Sequence, residues 1–264
     1  MSVIISLFNQ SGGVAKTTLT MNLGYHLAQK DYRVLLVDLD PQGSLTAFMG
    51  LEPADLDQTV YEALMAGESL PLHHALHRMD LLPSNINLSG AELELVVADM
   101  RDTRLKVALE PVQADYDFIL IDCPPSLGIL SYIALVASTH VLIPIQTEYK
   151  ALKGTELLLG TIGRVRKRAN PHLKIAGFVP TLYDSRTGQA ASSLHSISDS
   201  LASVGRIYSP VPRSVAFADA SQQHLPLACL NSKHPSLKVF DEIVVGLESL
   251  LDSPISTPSR SRKK

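Results

Sequence analysis

Residues 3–18 read VIISLFNQSGGVAKTT. Val3 to Phe8 form a short apolar run rich in β-branched residues, the pattern of a strand buried on both faces. A glycine-containing turn follows, and Thr17 to Gln29 then reads as a helix. A turn between a buried strand and a helix is where a phosphate loop belongs. The residue types suit that task. Gly12 and Gly13 let the backbone bend so that successive N–H groups, through Val14 and Ala15, face an anion. Lys16 sets a cation against β- and γ-phosphates. Thr17 offers a hydroxyl to Mg²⁺, with Thr18 behind it, and the helix start adds its positive dipole end. The strict pattern G-x-x-x-x-G-K-[ST] is not met, because Gln10 and Ala15 occupy its two glycine positions.

The same alternation continues down the chain. Arg33 to Asp38, Phe118 to Asp122, His140 to Ile145 and Lys174 to Val179 are further apolar runs. Helical stretches lie between them, near Leu127 to Ala137 and Leu152 to Arg168. Two capping-box patterns, Thr59 with Glu62 and Ser89 with Glu92, mark helix starts. Strands alternating with helices imply right-handed crossovers and a doubly wound α/β fold, a mostly parallel sheet with helices on both faces. No Gly/Ser/Pro-rich linker interrupts the first 250 residues, so residues 1–252 are expected to form one domain. Leu237, Phe240, Val244, Leu247 and Leu251 recur at helical spacing and predict a core-facing helix. Its other residues include Asp241, Glu242 and Glu248, which argues against a membrane-surface helix. Residues 253–264, SPISTPSRSRKK, are basic and poor in apolar residues and are expected to be a disordered tail.

Composition narrows the function. The chain of 264 residues is 45% hydrophobic and 19% charged, ample for a large core. Two cysteines provide no disulfide framework and suit a reducing compartment. No stretch approaches the roughly 18 to 20 apolar residues of a membrane span, and the N-terminus lacks the pattern of a signal peptide. The expectation is a cytoplasmic protein without a membrane partner. The net charge of −3 leaves nucleic-acid binding to a local patch.

NQSGGVAKTT (residues 9–18) resembles the deviant Walker A box, K-G-G-V-G-K-T-T, of the ParA/MinD family of ATPases. VDLDPQG (37–43) resembles that family's Walker A′ motif, and ILIDCPPS (119–126) its Walker B strand. PSNINLSGAELEL, IPIQTEYKALKG, VPTLYDSRT and PVPRSV resemble ParA-type segments in the same order, so the likeness spans roughly residues 2 to 250. The resemblance implies a P-loop ATPase with ATP and Mg²⁺ as cofactors. It would form a homodimer when ATP-bound, bind DNA without sequence preference on the nucleoid, and be triggered to hydrolyse by a cargo adaptor. By position, Lys16 binds phosphate and Thr17 ligates Mg²⁺. Asp122 holds Mg²⁺ through water, and Asp40 orients the attacking water with Asp38 close by. Pro212 and Arg213 match a segment near the adenine.

One departure matters. Ser11 stands where the family has its signature lysine, which reaches the partner subunit's phosphates. A trans cation in phosphoryl transfer can be worth on the order of 10³-fold or more in rate, and a serine hydroxyl is neutral and too short to replace it. Relatives often read E-Y-Y-A-L-E-G where this chain has Glu148 to Gly154, EYKALKG. Lys150 is therefore the candidate for the trans contact, with Lys153 second. Serine at the signature position resembles the McdA branch, which distributes carboxysomes with an McdB-type adaptor. Plasmid or chromosome partition with a ParB-type protein is the alternative, and a hydrolytically impaired ATP-sensing module is another. Nitrogenase-iron-protein-like relatives need cluster cysteines that this chain lacks. Cobyrinate-synthase-like relatives usually carry an added glutaminase domain.

Candidate DNA contacts are Arg164, Lys167 and Arg168 on one helical face, with Arg166 beside them. Arg186 and Arg206 follow in loops, and Arg260, Arg262, Lys263 and Lys264 close the tail. His73 and His77 have the spacing of a helical metal pair, but no carboxylate or cysteine completes a ligand set. Cys123 and Cys229 lack metal-cluster spacing.

Overall fold

A computed structural model describes residues 2–148 and 151–251, with the backbone alone for residues 151–153. Seven strands form one sheet in the order β3-β4-β2-β5-β1-β6-β7. They are β1 (Val3–Leu7), β2 (Val34–Asp38), β3 (His73–Leu76), β4 (Met79–Leu82), β5 (Phe118–Asp122), β6 (His140–Gln146) and β7 (Lys174–Thr181). All neighbours pair in parallel except β3, which runs antiparallel to β4. The helices are α1 (Lys16–Ala28), α2 (Ser44–Phe48), α3 (Val60–Met65), α4 (Leu88–Val97), α5 (Arg104–Leu109) and α6 (Ile129–Ala137). They continue as α7 (Ala151–Arg168), α8 (Gly188–Leu201), α9 (Ala216–Gln222), α10 (Leu227–Leu230) and α11 (Leu237–Glu248).

Period-two alternation in the central strands divides the core between the two faces of the sheet. Ile4, Val37, Ile119, Ile121 and Ile143 point to one face, where α3 to α7 cover them with Leu64, Leu95, Leu105, Ile133 and Leu158. Val3, Ile5, Leu36, Leu120 and Leu142 point to the other, under Leu19, Leu23 and Leu27 of α1 and Phe240, Val244 and Leu247 of α11. Each such side chain contributes about 1.5–3 kcal/mol on burial, so α11 is held by packing, as its spacing predicts. The close approach of α1 depends on Gly24, where a Cβ would stand 2.7 Å from Leu36 and 2.8 Å from Met79.

Thr59 and Glu62 form the expected capping box at the start of α3. The second expected box does not form. Asn87 precedes the first residue of α4, without a side-chain cap, and Ser89 lies inside the helix. The turn of Asn85, whose Oδ1 accepts from Asn87 N–H at 3.1 Å, starts the helix early and buries Leu88. His73 to His77 are not helical but form β3 and its turn, where Ala75, His77 and Arg78 adopt left-handed backbone. His74 meets Asp80 at 2.8 Å and His77 donates to the carbonyl of His224 at 2.7 Å. Among the described residues no group of His, Cys, Asp and Glu is arranged to hold a metal without other help. No described helix is long and apolar enough to cross a membrane.

Candidate nucleotide site

The carboxyl ends of β1, β2 and β5 meet at one edge of the sheet, the edge that serves ligands in open α/β folds. Register brings Leu7 and Asp38 both opposite Asp122, so the phosphate-type loop and two acidic motifs converge. Asn9 pins the loop: its Nδ2 donates to the Pro144 carbonyl at 2.7 Å, and its Oδ1 accepts from Ser11 N–H at 2.9 Å. Gln10 donates to the Gly154 carbonyl at 2.7 Å, and Thr181 donates to the Val14 carbonyl at 3.2 Å. Gly13 adopts φ +71, and Ala15, the residue before α1, adopts φ +67. An L-residue in that conformation carries about 1–2 kcal/mol of strain. Ser11, Gly12 and Gly13 are exposed.

Lys16 is buried, and its ammonium donates to the carbonyls of Asn9 at 3.0 Å and Ser11 at 2.9 Å. Burial lowers its pKa, while the charges of Asp122, Cys123 and Asp40 oppose the shift. Asp38 is fully buried and fully partnered. Its Oδ2 accepts from both the N–H and the hydroxyl of Thr46 at 2.8 Å, and its Oδ1 accepts from Asp40 N–H at 3.1 Å. Burial pushes its carboxyl to about 6 despite those donors. Asp122 is equally buried, and neither oxygen has a hydrogen-bond partner. Burial, then the charge of Asp38, holds its pKa well above the carboxylate range, against the pull of Thr17 and Lys16. Asp40 is half-buried on the wall of the loop cavity and accepts from Gln42 N–H at 3.0 Å.

That cavity has a volume of about 350 Å³ and is walled by Gly12 to Thr18, Asp40, Ser44 and Pro125. Ala15, Thr18, Phe48 and Leu182 also line a second, mainly apolar cavity of about 610 Å³, closed by Val211, Pro212 and Phe217. The two adjoining spaces suit a polyphosphate and a planar base. A buried, unpartnered carboxylate beside a threonine hydroxyl and a lysine fits a hydrated divalent cation, which would satisfy Asp122. Pro212 lines the base-sized cavity as expected, and Arg213 stands exposed next to it. Phe48, Leu182 and Phe217 were not among the sequence candidates. They come from α2, the end of β7 and α9, and only the fold assembles them.

Among the described residues, the basic candidates are not brought together as one patch. Arg164, Lys167 and Arg168 are exposed at the carboxyl end of α7, as their spacing predicts, and Arg166 instead donates to the Leu173 carbonyl at 2.7 Å. Arg186 follows β7 at the opposite end of the sheet and pairs with Asp184 at 2.8 Å. Arg206 lies over the ring of Tyr208 at 4.8 Å. Lys150, Arg260, Arg262, Lys263 and Lys264 lie outside the described residues, as does the side chain of Lys153.

Sheet order, loop and converging acids define a P-loop ATPase. An AAA domain model matches residues 2–175. The sporulation initiation inhibitor protein Soj of Bacillus subtilis is 41% identical over 244 residues, covering 91% of this chain and 96% of the relative. The chromosome partitioning protein ParA of Caulobacter vibrioides is 39% identical, over 91% of this chain and 93% of the relative. Among solved structures, one described as cobyrinic acid a,c-diamide synthase of Mycobacterium smegmatis, with bound ADP and magnesium, superposes with a TM-score of 0.85. It is 36% identical, and 96% of each chain is covered. An ATP complex of Cyanothece McdA superposes at 0.84 with 25% identity, covering 94% of this chain and 96% of that one. The chain belongs to the ParA/MinD family of ATPases. It is a ParA-type positioning ATPase whose cofactors are ATP and Mg²⁺.

Proposed function

We propose that the chain is an ATP-dependent dimerising switch that uses non-specific nucleoid DNA as a track to distribute cargo, with carboxysomes as the cargo and an McdB-type adaptor as the trigger. Ser11 carries the cargo assignment, because the loop has no lysine at that position, and the likeness to Cyanothece McdA is consistent with it. In this reading the N–H groups of Gly12 to Thr18 and the Lys16 ammonium bind the phosphates. Lys16 exchanges its two carbonyl partners for phosphate oxygens without leaving its burial site. Thr17, and Asp122 through water, hold Mg²⁺, which neutralises charge on the phosphates when bound. Asp40 orients the attacking water, and Asp38 fixes the Asp40 backbone from below. Phe48, Leu182 and Pro212 enclose the base. Lys150 supplies the trans cation that Ser11 cannot.

A second reading, partition of a plasmid or chromosome with a ParB-type partner, is favoured by a different observation. The Soj and ParA relatives match nearly the whole chain at 39–41% identity. The two readings separate in one ATPase assay with DNA and purified McdB-type or ParB-type adaptors. Stimulation by the McdB type alone supports the first, and stimulation by the ParB type alone overturns its cargo assignment. Turnover lost in Lys16→Ala and Asp40→Ala excludes a hydrolytically impaired module. Lys150→Ala with dimerisation and turnover intact overturns the trans-cation role.

A further inference from the structure

A small cavity of about 180 Å³ opens at the amino ends of β1, β6 and β7, the edge of the sheet opposite the nucleotide site. It is smaller than the roughly 300–1,000 Å³ of pockets for drug-sized ligands, so its occupant is small. Its basic lining comes from Lys106 of α5, His172 in the turn before β7, Lys174 at the start of β7 and His140 at the start of β6. The parts of β1 and α6 that line it are the apolar Ile4, Val136 and Ala137, and no Asp or Glu reaches it. Neither lysine, nor His140 or His172, makes an ion pair among the described residues. Positive groups gathered without a counter-charge repel one another until an anion joins them.

The carboxyl end of α6 also faces this space, and its dipole would oppose an anion. Its carbonyls are already covered. Asn170 Nδ2 donates to those of Leu135 at 3.0 Å, Val136 at 3.2 Å and Ser138 at 2.7 Å, and the Ser138 hydroxyl donates to that of Ala134 at 2.8 Å.

His140 makes the cavity selective. It is only 5% exposed. The Thr139 hydroxyl gives its one proton to the Ile4 carbonyl at 2.9 Å and accepts from the Ile4 N–H at 3.0 Å. His140 Nδ1, 3.0 Å from the same oxygen, is therefore the donor of that contact. Nε2 is left with a bare lone pair and no hydrogen-bond partner among the described residues. Burial, then the Lys174 charge, lowers the imidazole pKa to about 4, so the ring is neutral at neutral pH. An anion that enters must bring negative oxygens for the lysines and an O–H for Nε2. Sulfate and phosphodiesters have no such O–H, and bicarbonate has one with a single charge. Monohydrogen phosphate carries both an O–H and two negative charges.

We propose that this cavity is a second ligand site that binds inorganic phosphate, with Lys106 and Lys174 on its charged oxygens and His140 Nε2 accepting its O–H. The proposal is independent of the DNA-track reading. Its test uses the full chain with the nucleotide site filled by a non-hydrolysable ATP analogue and Mg²⁺. Inorganic phosphate is titrated by calorimetry at pH 7.5 and constant ionic strength, and the histidine ring signals are followed by nuclear magnetic resonance. One phosphate is expected to bind per chain and to shift the His140 Nε2 signal, identified by its absence in His140→Asn. Sulfate is expected to bind at least about tenfold more weakly at pH 7.5. It should gain on phosphate as pH falls toward 5, because it requires the protonated imidazole. Lys106→Ala with Lys174→Ala is expected to weaken phosphate by about tenfold or more, and His140→Asn to remove the preference for phosphate over sulfate. Arg186→Ala, remote from the cavity, should change neither. Both lysines are exposed, and circular dichroism checks that the variants fold.

Phosphate that does not saturate, sulfate bound as tightly at pH 7.5, or affinity within about twofold of wild type in the double lysine variant overturns the proposal. Tighter binding of bicarbonate than of phosphate overturns it too. So does a lysine variant that loses DNA binding while the wild type takes up no phosphate, which would assign the lysines to DNA.

Discussion

Asp38 and Asp122 end neighbouring strands at the same register, both wholly buried, yet their surroundings are opposite. At the end of β2, three donors from Thr46 and the Asp40 backbone satisfy Asp38. At the end of β5, Asp122 has none. A buried charge without partners is costly, and a fold that can furnish three donors to one carboxylate is able to furnish them to the next. On the proposed reading, the difference is that Asp38 holds the Walker A′ segment and Asp122 awaits a ligand. The same logic separates the strained Ala15 from the relaxed helix it introduces.

The largest expected effect breaks or keeps this contrast at Asp122. Asp122→Asn should lower Mg²⁺-dependent turnover by about a hundredfold or more, since a bound metal is worth several kcal/mol of transition-state charge. Its thermal stability should match or exceed that of wild type. A clear loss of stability would mean that Asp122 is structural like its neighbour. Thr46→Val should do the reverse, costing about 1.5–3 kcal/mol of stability through a lost hydrogen bond to a charged group. Urea unfolding measures it. Thr46 also accepts from Ser84 N–H at 2.9 Å, so the variant loosens β4 as well.

The opposite end of the sheet offers a third, smaller test. His140 begins β6 buried, and desolvation lowers its pKa to about 4. The unfolded imidazole takes up its proton first as pH falls, so this contribution to stability is intact above about 6.5 and declines toward 4. Between pH 6.5 and 5 it amounts to at most about 2 kcal/mol. His140→Asn should therefore show a flatter melting profile over that range, and an unchanged profile would contradict the assignment. The smallest effect is at Ala15. Replacement by glycine removes about 1–2 kcal/mol of left-handed strain and adds roughly 0.5–1 kcal/mol of unfolded-state entropy. A net gain of at most about 1.5 kcal/mol is expected, and a loss would show that the methyl is needed between the two cavities.

The central strands were legible because a strand buried on both faces is a continuous apolar run. β5 spans the residues read from sequence, and α11 follows its apolar spacing. The hairpin of β3 and β4 was not legible, since β3 is a short edge strand carrying two histidines whose spacing imitates a helix. The start of α4 was misplaced because Ser89 and Glu92 satisfy a local pattern, whereas burial of Leu88 decided the helix start. The phosphate loop and the two acids announce themselves by local motifs. Phe48, Leu182 and Phe217 do not, because a base-sized cavity assembled from distant segments has no local signature. The basic residues show the limit of composition: Arg186 counts as a cation in the sequence but is neutralised by Asp184 in the fold.

The nucleotide switch is tested most directly by binding of the full chain to random-sequence duplex DNA with ATP, with ADP and without nucleotide, at fixed salt. Binding with ATP alone, lost in Lys16→Ala, is the predicted result. Equal binding in all three states, or none in any, would contradict the nucleotide switch.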